Sequence, residues 1–163
     1  MVACLQLGFY LASWGMLRGS ADLLRRSAKH LVPVIEAIVS SNPSLWEIDV
    51  NSYGDTAYTV IFEGANRIRA SFPEGASDIL VSKIMLGTYG CVPAFDTYFK
   101  KGFGVTTFGP KALRKVSGFY RENASIIDSH CVATIDFHSG RETQFKYTRA
   151  KVVDMIFFVE GGS

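Results

Sequence analysis

Apolar residues recur at helical spacing along nearly the whole 163-residue chain. Residues 1–17 (MVACLQLGFYLASWGML) carry no charge, and Gly8, Ala12, Gly15 and Gly19 fall four, three and four apart. That spacing places four small residues on one helix face, a stripe open to close backbone approach, with Phe9, Leu11, Trp14 and Met16 around it. Ser20 is the expected N-cap of a second helix, with Asp22 in its first turn and Leu24, Leu31, Ile35 and Ile38 on one apolar face. Pro33 removes a donor and clashes with the preceding turn, so a kink or two abutting helices is expected, ending near Ser40-Ser41-Asn42-Pro43. Residues 45–50 (LWEIDV) fit either a short helix or a single strand. From Asp55, the positions Ala57, Ile61, Ile68 and Phe72 return to helical spacing, and Phe72-Pro73-Glu74-Gly75 stops it.

Ser77 is placed to cap a helix in which Ile79, Leu80, Val81, Ile84, Met85 and Leu86 leave almost no polar face. Such a helix should be central, its end punctuated by Gly87 and Gly90. Pro93 suits the first position of a short helix with Phe95, Tyr98 and Phe99 inward, Lys100-Lys101 in its last turn and Gly102 just beyond. Pro110 opens another, with Leu113, Val116 and Tyr120 inward. Ser125-Ile-Ile-Asp128 resembles a capping box with Asp in place of Glu, and Ile127, Cys131 and Ile135 follow it. Residues 148–159 are apolar nearly throughout and β-branched enough for a strand. With no second strand to satisfy its backbone, a helix is expected instead. The pattern predicts a single all-α domain over residues 1–163, a compact multi-helix bundle of about seven or eight helices.

Composition narrows the class. With 48% hydrophobic residues, 20% charged and 5 Pro, the chain is neither disordered nor low-complexity. A domain of this length buries about 70% of its unfolded surface and needs no covalent staple. The 3 cysteines (Cys4, Cys91, Cys131) are too few and too scattered for a disulfide framework. They suit small buried hydrophobes in a reducing, cytoplasmic compartment. No Cys-x-x-Cys or His/Cys cluster has zinc spacing, and His130 and His138 stand eight apart without a third ligand between, so no metal or cofactor is expected. The uncharged opening run contains Gln6, Ser13 and two glycines and has no basic residue before it. It therefore predicts a buried first helix rather than a membrane span or a signal peptide.

The net charge of +2 conceals a segregation. Residues 31–82 hold seven acidic residues against Arg67 and Arg69, whereas residues 83–121 hold seven basic residues against Asp96 alone. Lys111, Arg114 and Lys115 share one helix face, and Lys100 and Lys101 lie just upstream. Near Phe103, Phe108 and Tyr120, such a face would suit phosphates with base stacking. The simpler reading of the same residues is a solvated helix face with two lysines complementing a helix C-terminus.

Residues 72–99 combine a Pro-x-Gly turn, a buried helix and a Val-Pro-x-x-Asp entry into the next helix. This segment resembles the helix-hairpin-helix DNA glycosylases. The resemblance implies that Gly75 is the last glycine of a hairpin cradling a DNA phosphate, and that Asp96 is the aspartate assisting glycosidic cleavage. The segment departs from that pattern in having one hairpin glycine and in placing Ser77 where bifunctional members carry a lysine, with Lys83 about two turns further on. Without the resemblance, Asp96 fits the first turn of a helix, with Lys100 four residues on as an ion-pair partner. The phrases FYLASWGMLRGS (9–20), KIMLGTYGCVPAFDTYF (83–99) and KVVDMIFF (151–158) resemble a family of uncharacterised bacterial proteins. That likeness implies a compact bacterial cytoplasmic protein and carries no activity with it.

Further candidates are isolated. Cys91 precedes the helix expected from Pro93, a position that lowers a thiol pKa, or it is a buried structural cysteine. The surroundings of Trp14-Arg18 and Trp46 could stack a ligand, though aromatic residues at this spacing usually belong to a core. No nucleophile elbow, Walker loop or dinucleotide fingerprint occurs. The expected function is a non-enzymatic helical binding or interaction module, its partner a nucleic acid or another protein. The alternatives are a nucleic-acid-binding protein of helix-hairpin-helix type acting through Asp96, and a small-ligand pocket lined by aromatic residues.

Overall fold

In the computed structural model, which describes residues 2–18, 22–136 and 138–163, the uncharged opening run forms α1 (Val2–Ser13). Cys4, Leu7 and Leu11, three and four apart, are its buried face. The helix is half-buried rather than buried: Phe9 is 77% exposed, and Val2 and Leu5 also face outward. The small-residue stripe is shorter than its spacing suggests. Gly8 packs on Leu31, but Gly15 lies beyond the helix with φ of 72°. Gly19 and the expected cap Ser20 lie outside the described residues. Among those residues no helix is long and apolar enough to cross a membrane.

Pro33 produces abutting helices. A 3-10 turn at Ala28–Leu31 runs directly into α2 (Val32–Val39), with Pro33 in the first turn, where a missing N–H costs nothing. The ambiguous stretch becomes two 3-10 turns, Pro43–Trp46 and Val50–Ser52. Next come α3 (Asp55–Ala70) and α4 (Asp78–Thr88), the latter capped by Ser77, whose hydroxyl accepts from the Leu80 N–H. Every residue from Leu80 to Leu86 in α4 is buried, so the apolar helix is central as expected. Gly87 does not terminate it. It sits inside α4 because Tyr10 of α1 packs where a side chain would go.

The next element corrects the boundary. α5 (Thr97–Phe103) starts four residues after Pro93, with Asp96 as N-cap, its Oδ1 accepting from the Phe99 N–H at 2.9 Å. Before it, the Ala94 and Phe95 N–H groups donate to Asp154 and Ser82 side chains, so this stretch is satisfied without being helical. The left-handed C-cap is Gly104, not Gly102. Gly102 lies within α5, where a methyl group would collide with the Phe157 carbonyl of the last helix.

α6 (Pro110–Ser129) opens at Pro110 and buries Leu113, Val116 and Tyr120 as the spacing predicts. It then runs through Ser125, so no helix begins at the expected capping box. Only Asn123 leaves helical geometry, its amide donating to the Phe119 carbonyl. Beyond it, Ile135 belongs to a strand rather than a helix. β1 (Ala133–Ile135) and β2 (Glu142–Lys146) form an antiparallel hairpin absent from the sequence expectation. Strands of three and five residues, mostly exposed, bury no face and leave no alternating pattern to detect. α7 (Arg149–Gly162) closes the chain as a helix, with the Thr148 hydroxyl accepting from the Lys151 N–H. The described residues thus contain seven α-helices and one small hairpin, an all-α fold.

Candidate functional site

Four ionisable side chains meet in the interior. Lys83, from the middle of α4, is 5% exposed; Asp96 at the start of α5 is 6% exposed, and Asp154 on α7 is 1% exposed. The Lys83 ammonium lies 3.4 Å from Asp96 Oδ2 and donates to the Trp14 carbonyl at 3.3 Å. Lys151, one turn before Asp154, lies 3.0 Å from its Oδ2, and Asp154 Oδ1 accepts from the Ala94 N–H. Both ammonium groups also stand against the Trp14 ring, 4.9 Å from its centroid for Lys83 and 4.3 Å for Lys151. Two cations and two carboxylates thus balance inside the protein. Desolvating such pairs consumes much of their Coulombic gain, so their presence is not explained by stability alone.

Burial raises the Asp154 carboxyl above the usual carboxylate range, and the nearby Asp96 charge adds to the rise, while Lys151 and the Ala94 N–H oppose it. Burial likewise raises the Tyr10 hydroxyl, which stays protonated and donates to the Lys83 carbonyl at 2.9 Å. Raised acids occur at working sites and in structural ion-pair networks alike.

A cleft is present. A hollow of about 570 Å³ lies between the end of α1, the C-terminal end of α4 and the junction of β2 with α7. Tyr10, Trp14 and Tyr147 supply aromatic walls, Lys146 and Lys151 supply charge, and the backbone of Gly87 and Gly90 forms part of its lining. Gly90 has φ of 68°, and its carbonyl accepts from the Thr148 hydroxyl at 2.8 Å, which ties the α4 end to the start of α7. Among the described residues lining the cleft there are two lysines and no carboxylate. Lys151 belongs to both the cleft and the buried quartet.

The residues singled out from sequence are distributed differently. Asp96 pairs with Lys83, not with Lys100, and is closed off from solvent. None of Lys100, Lys101, Lys111, Arg114 and Lys115 lines the cleft. Lys115 donates to the Phe103 and Gly104 carbonyls and so completes the C-terminal end of α5. Arg114 lies over the Tyr58 ring at 5.8 Å, Lys100 is half-buried, and Lys101 and Lys111 are exposed. Asp96 caps the start of α5, whereas Lys100 and Lys101 lie in its last turn and Lys115 at its C-terminal end. Gly75 adopts φ of 76°, and its N–H is used within the turn, donating to the Phe72 carbonyl at 2.9 Å. That N–H is therefore not turned toward a phosphate.

Cys91 is the structural cysteine: with no helix starting at Pro93, burial pushes its thiol up to about 12. Among the described residues, no three His, Cys, Asp or Glu side chains are grouped to hold a metal. The sequence does not single out Lys151, and it offers Lys83 only for its position in the pattern. It offers Asp154 only as one of three aspartates, with Asp128 and Asp136, that could supply a carboxylate beside the histidines without a metal-binding pattern. The available signal is a lone charge inside an apolar run, as in ILVSKIMLG and VVDMIFF, since such a charge is buried only when paired. No protein-family model matches the chain, and no curated protein or solved structure is detectably similar to it.

Proposed function

We propose that the chain is a non-enzymatic binding module that receives a small ligand in the cleft beside Trp14. The observation that carries this is Lys151, which lines an aromatic cleft and is anchored from behind by Asp154. A charged group at the wall of a concave aromatic site orients a ligand. Binding rather than catalysis is supported by the commitment of the buried acids: Asp96 is engaged by Lys83 and the Phe99 N–H, and Asp154 by Lys151 and the Ala94 N–H. As part of the same proposal the protein works in a bacterial cytoplasm, a reading supported by three unpaired cysteines and by the resemblance of its phrases to a bacterial family.

The test uses intrinsic fluorescence. The chain has 2 Trp, so Trp46→Phe, at an exposed position, leaves Trp14 as the sole indole. Titrating this variant with an aromatic anion, an aromatic cation and a neutral aromatic should give a saturable change in Trp14 emission with at least one. No saturable response to any of the three overturns the proposal.

A second reading, contact with nucleic acid, is favoured by the exposure of Lys101 and Lys111 near the Lys115-capped end of α5. Here Lys101→Glu with Lys111→Glu should weaken binding and flatten its dependence on salt by about one unit of slope per lost phosphate contact. These positions are preferable to Lys115, whose removal would also disturb the α5 end.

A further inference from the structure

We infer that the ligand of this cleft pairs an aromatic ring with an acid group, a carboxylate or a phosphate, and that the acid group takes Lys151 from Asp154, which takes up a proton. The inference rests on the cleft being the binding site and goes beyond it in naming the ligand class and what the protein does on binding. The lining argues for the class. Tyr10, Trp14 and Tyr147 offer ring surfaces, and among the described residues the two charged side chains that reach the space are both lysines.

The exchange follows from unequal access. The Lys151 side chain is 19% exposed, whereas that of Asp154 is 2% exposed, so an incoming anion meets the lysine and not its partner. Lys151 changes only the anion it faces. Asp154 is then left with one donor, the Ala94 N–H. Among the described residues, the groups around it offer no replacement cation: Lys83 of α4 is held by Asp96, Tyr10 of α1 is neutral with its hydroxyl on the Lys83 carbonyl, and Asp96 at the start of α5 repels. A desolvated carboxylate without a counter-charge is better accommodated neutral. One proton from solvent converts it to the acid, and no other bond changes.

Binding should therefore tighten as pH falls, by up to about tenfold per pH unit for one coupled proton. The probe for this slope is benzoate, whose carboxyl stays ionised across about pH 6 to about pH 8. In the Trp46→Phe background, benzoate and phenyl phosphate should bind and benzyl alcohol should bind at least tenfold more weakly. The ratio of the two anions decides between carboxylate and phosphate. Lys151→Met should remove anion binding and leave binding of benzyl alcohol. Asp154→Asn should retain benzoate binding, make it independent of pH, and abolish the proton uptake seen by calorimetry in two buffers of different ionisation enthalpy. Far-ultraviolet dichroism establishes that each variant is folded. Benzoate binding without proton uptake, or with an unchanged pH slope in Asp154→Asn, overturns the exchange while leaving the cleft as the site. Benzyl alcohol binding as tightly as the anions overturns the ligand class. If no aromatic of any charge binds, the cleft reading itself falls.

Discussion

Asp96 performs two tasks with two oxygens. Oδ1 accepts from the Phe99 N–H at the start of α5, and Oδ2 faces the buried Lys83 ammonium. Replacing it with alanine removes the cap and strands a buried charge, which should cost about 3–5 kcal/mol in urea denaturation. The double variant Lys83→Met, Asp96→Asn keeps a capping oxygen and removes the charge, and should recover most of that loss. A cost under about 1 kcal/mol for Asp96→Ala would instead mark a solvent-screened surface pair. The sequence showed Asp96 near a helix start but named the wrong partner. Spacing of four residues suggests Lys100, yet Lys100 follows along the surface of the same helix while Lys83 arrives from the interior of another. Local periodicity contains no information about a contact made across 13 residues and two elements.

At the scale of elements, glycines separate packing from punctuation. Gly118 lies within α6 with open space around its missing side chain, so Gly118→Ala should stabilise by about 0.5–1 kcal/mol. Gly161 lies on α7, where a methyl group would collide with the Tyr98 carbonyl of α5. Gly161→Ala should therefore destabilise by about 1–3 kcal/mol, because two backbones in contact have no free volume to yield. Thermal unfolding of the two variants beside the parent checks both signs. Helix existence was largely legible from apolar spacing, as for α3, α4 and α6, whereas α7 followed only from the lack of a partner for a lone strand. The start of α5 was not, since Pro93 and Asp96 are both acceptable openings by local rules. The Asp154 and Ser82 side chains decide between them by satisfying the donors of the stretch that follows Pro93.

Across the whole molecule, long-range polar contacts tie the acidic segment 31–82 to the C-terminal helix. The Asp49 carboxylate accepts from the Arg149 and Ala150 N–H groups, 100 and 101 residues away, so a side chain from a distant turn caps α7. Arg149 in turn bonds Asp128 at the end of α6 at 2.7 Å. Asp49→Ala should cost about 1–2 kcal/mol by loss of that cap, and fluorescence-detected urea unfolding measures it. Part of the charge segregation seen in the sequence is spent in this way: Asp49 serves α7, Lys115 serves α5, and Lys83 serves Asp96. The all-α class and the central place of α4 were determined by the sequence alone, because a helix burying most of its surface must carry apolar residues on most of its faces. Which charges meet was decided by the tertiary structure. Lys83, Asp96, Lys151 and Asp154 converge only once α4, α5 and α7 pack, and the cleft beside Trp14 exists only where α1 ends against that packed group. Burial is encoded residue by residue through solvation, whereas the pairing of buried charges depends on which elements become neighbours.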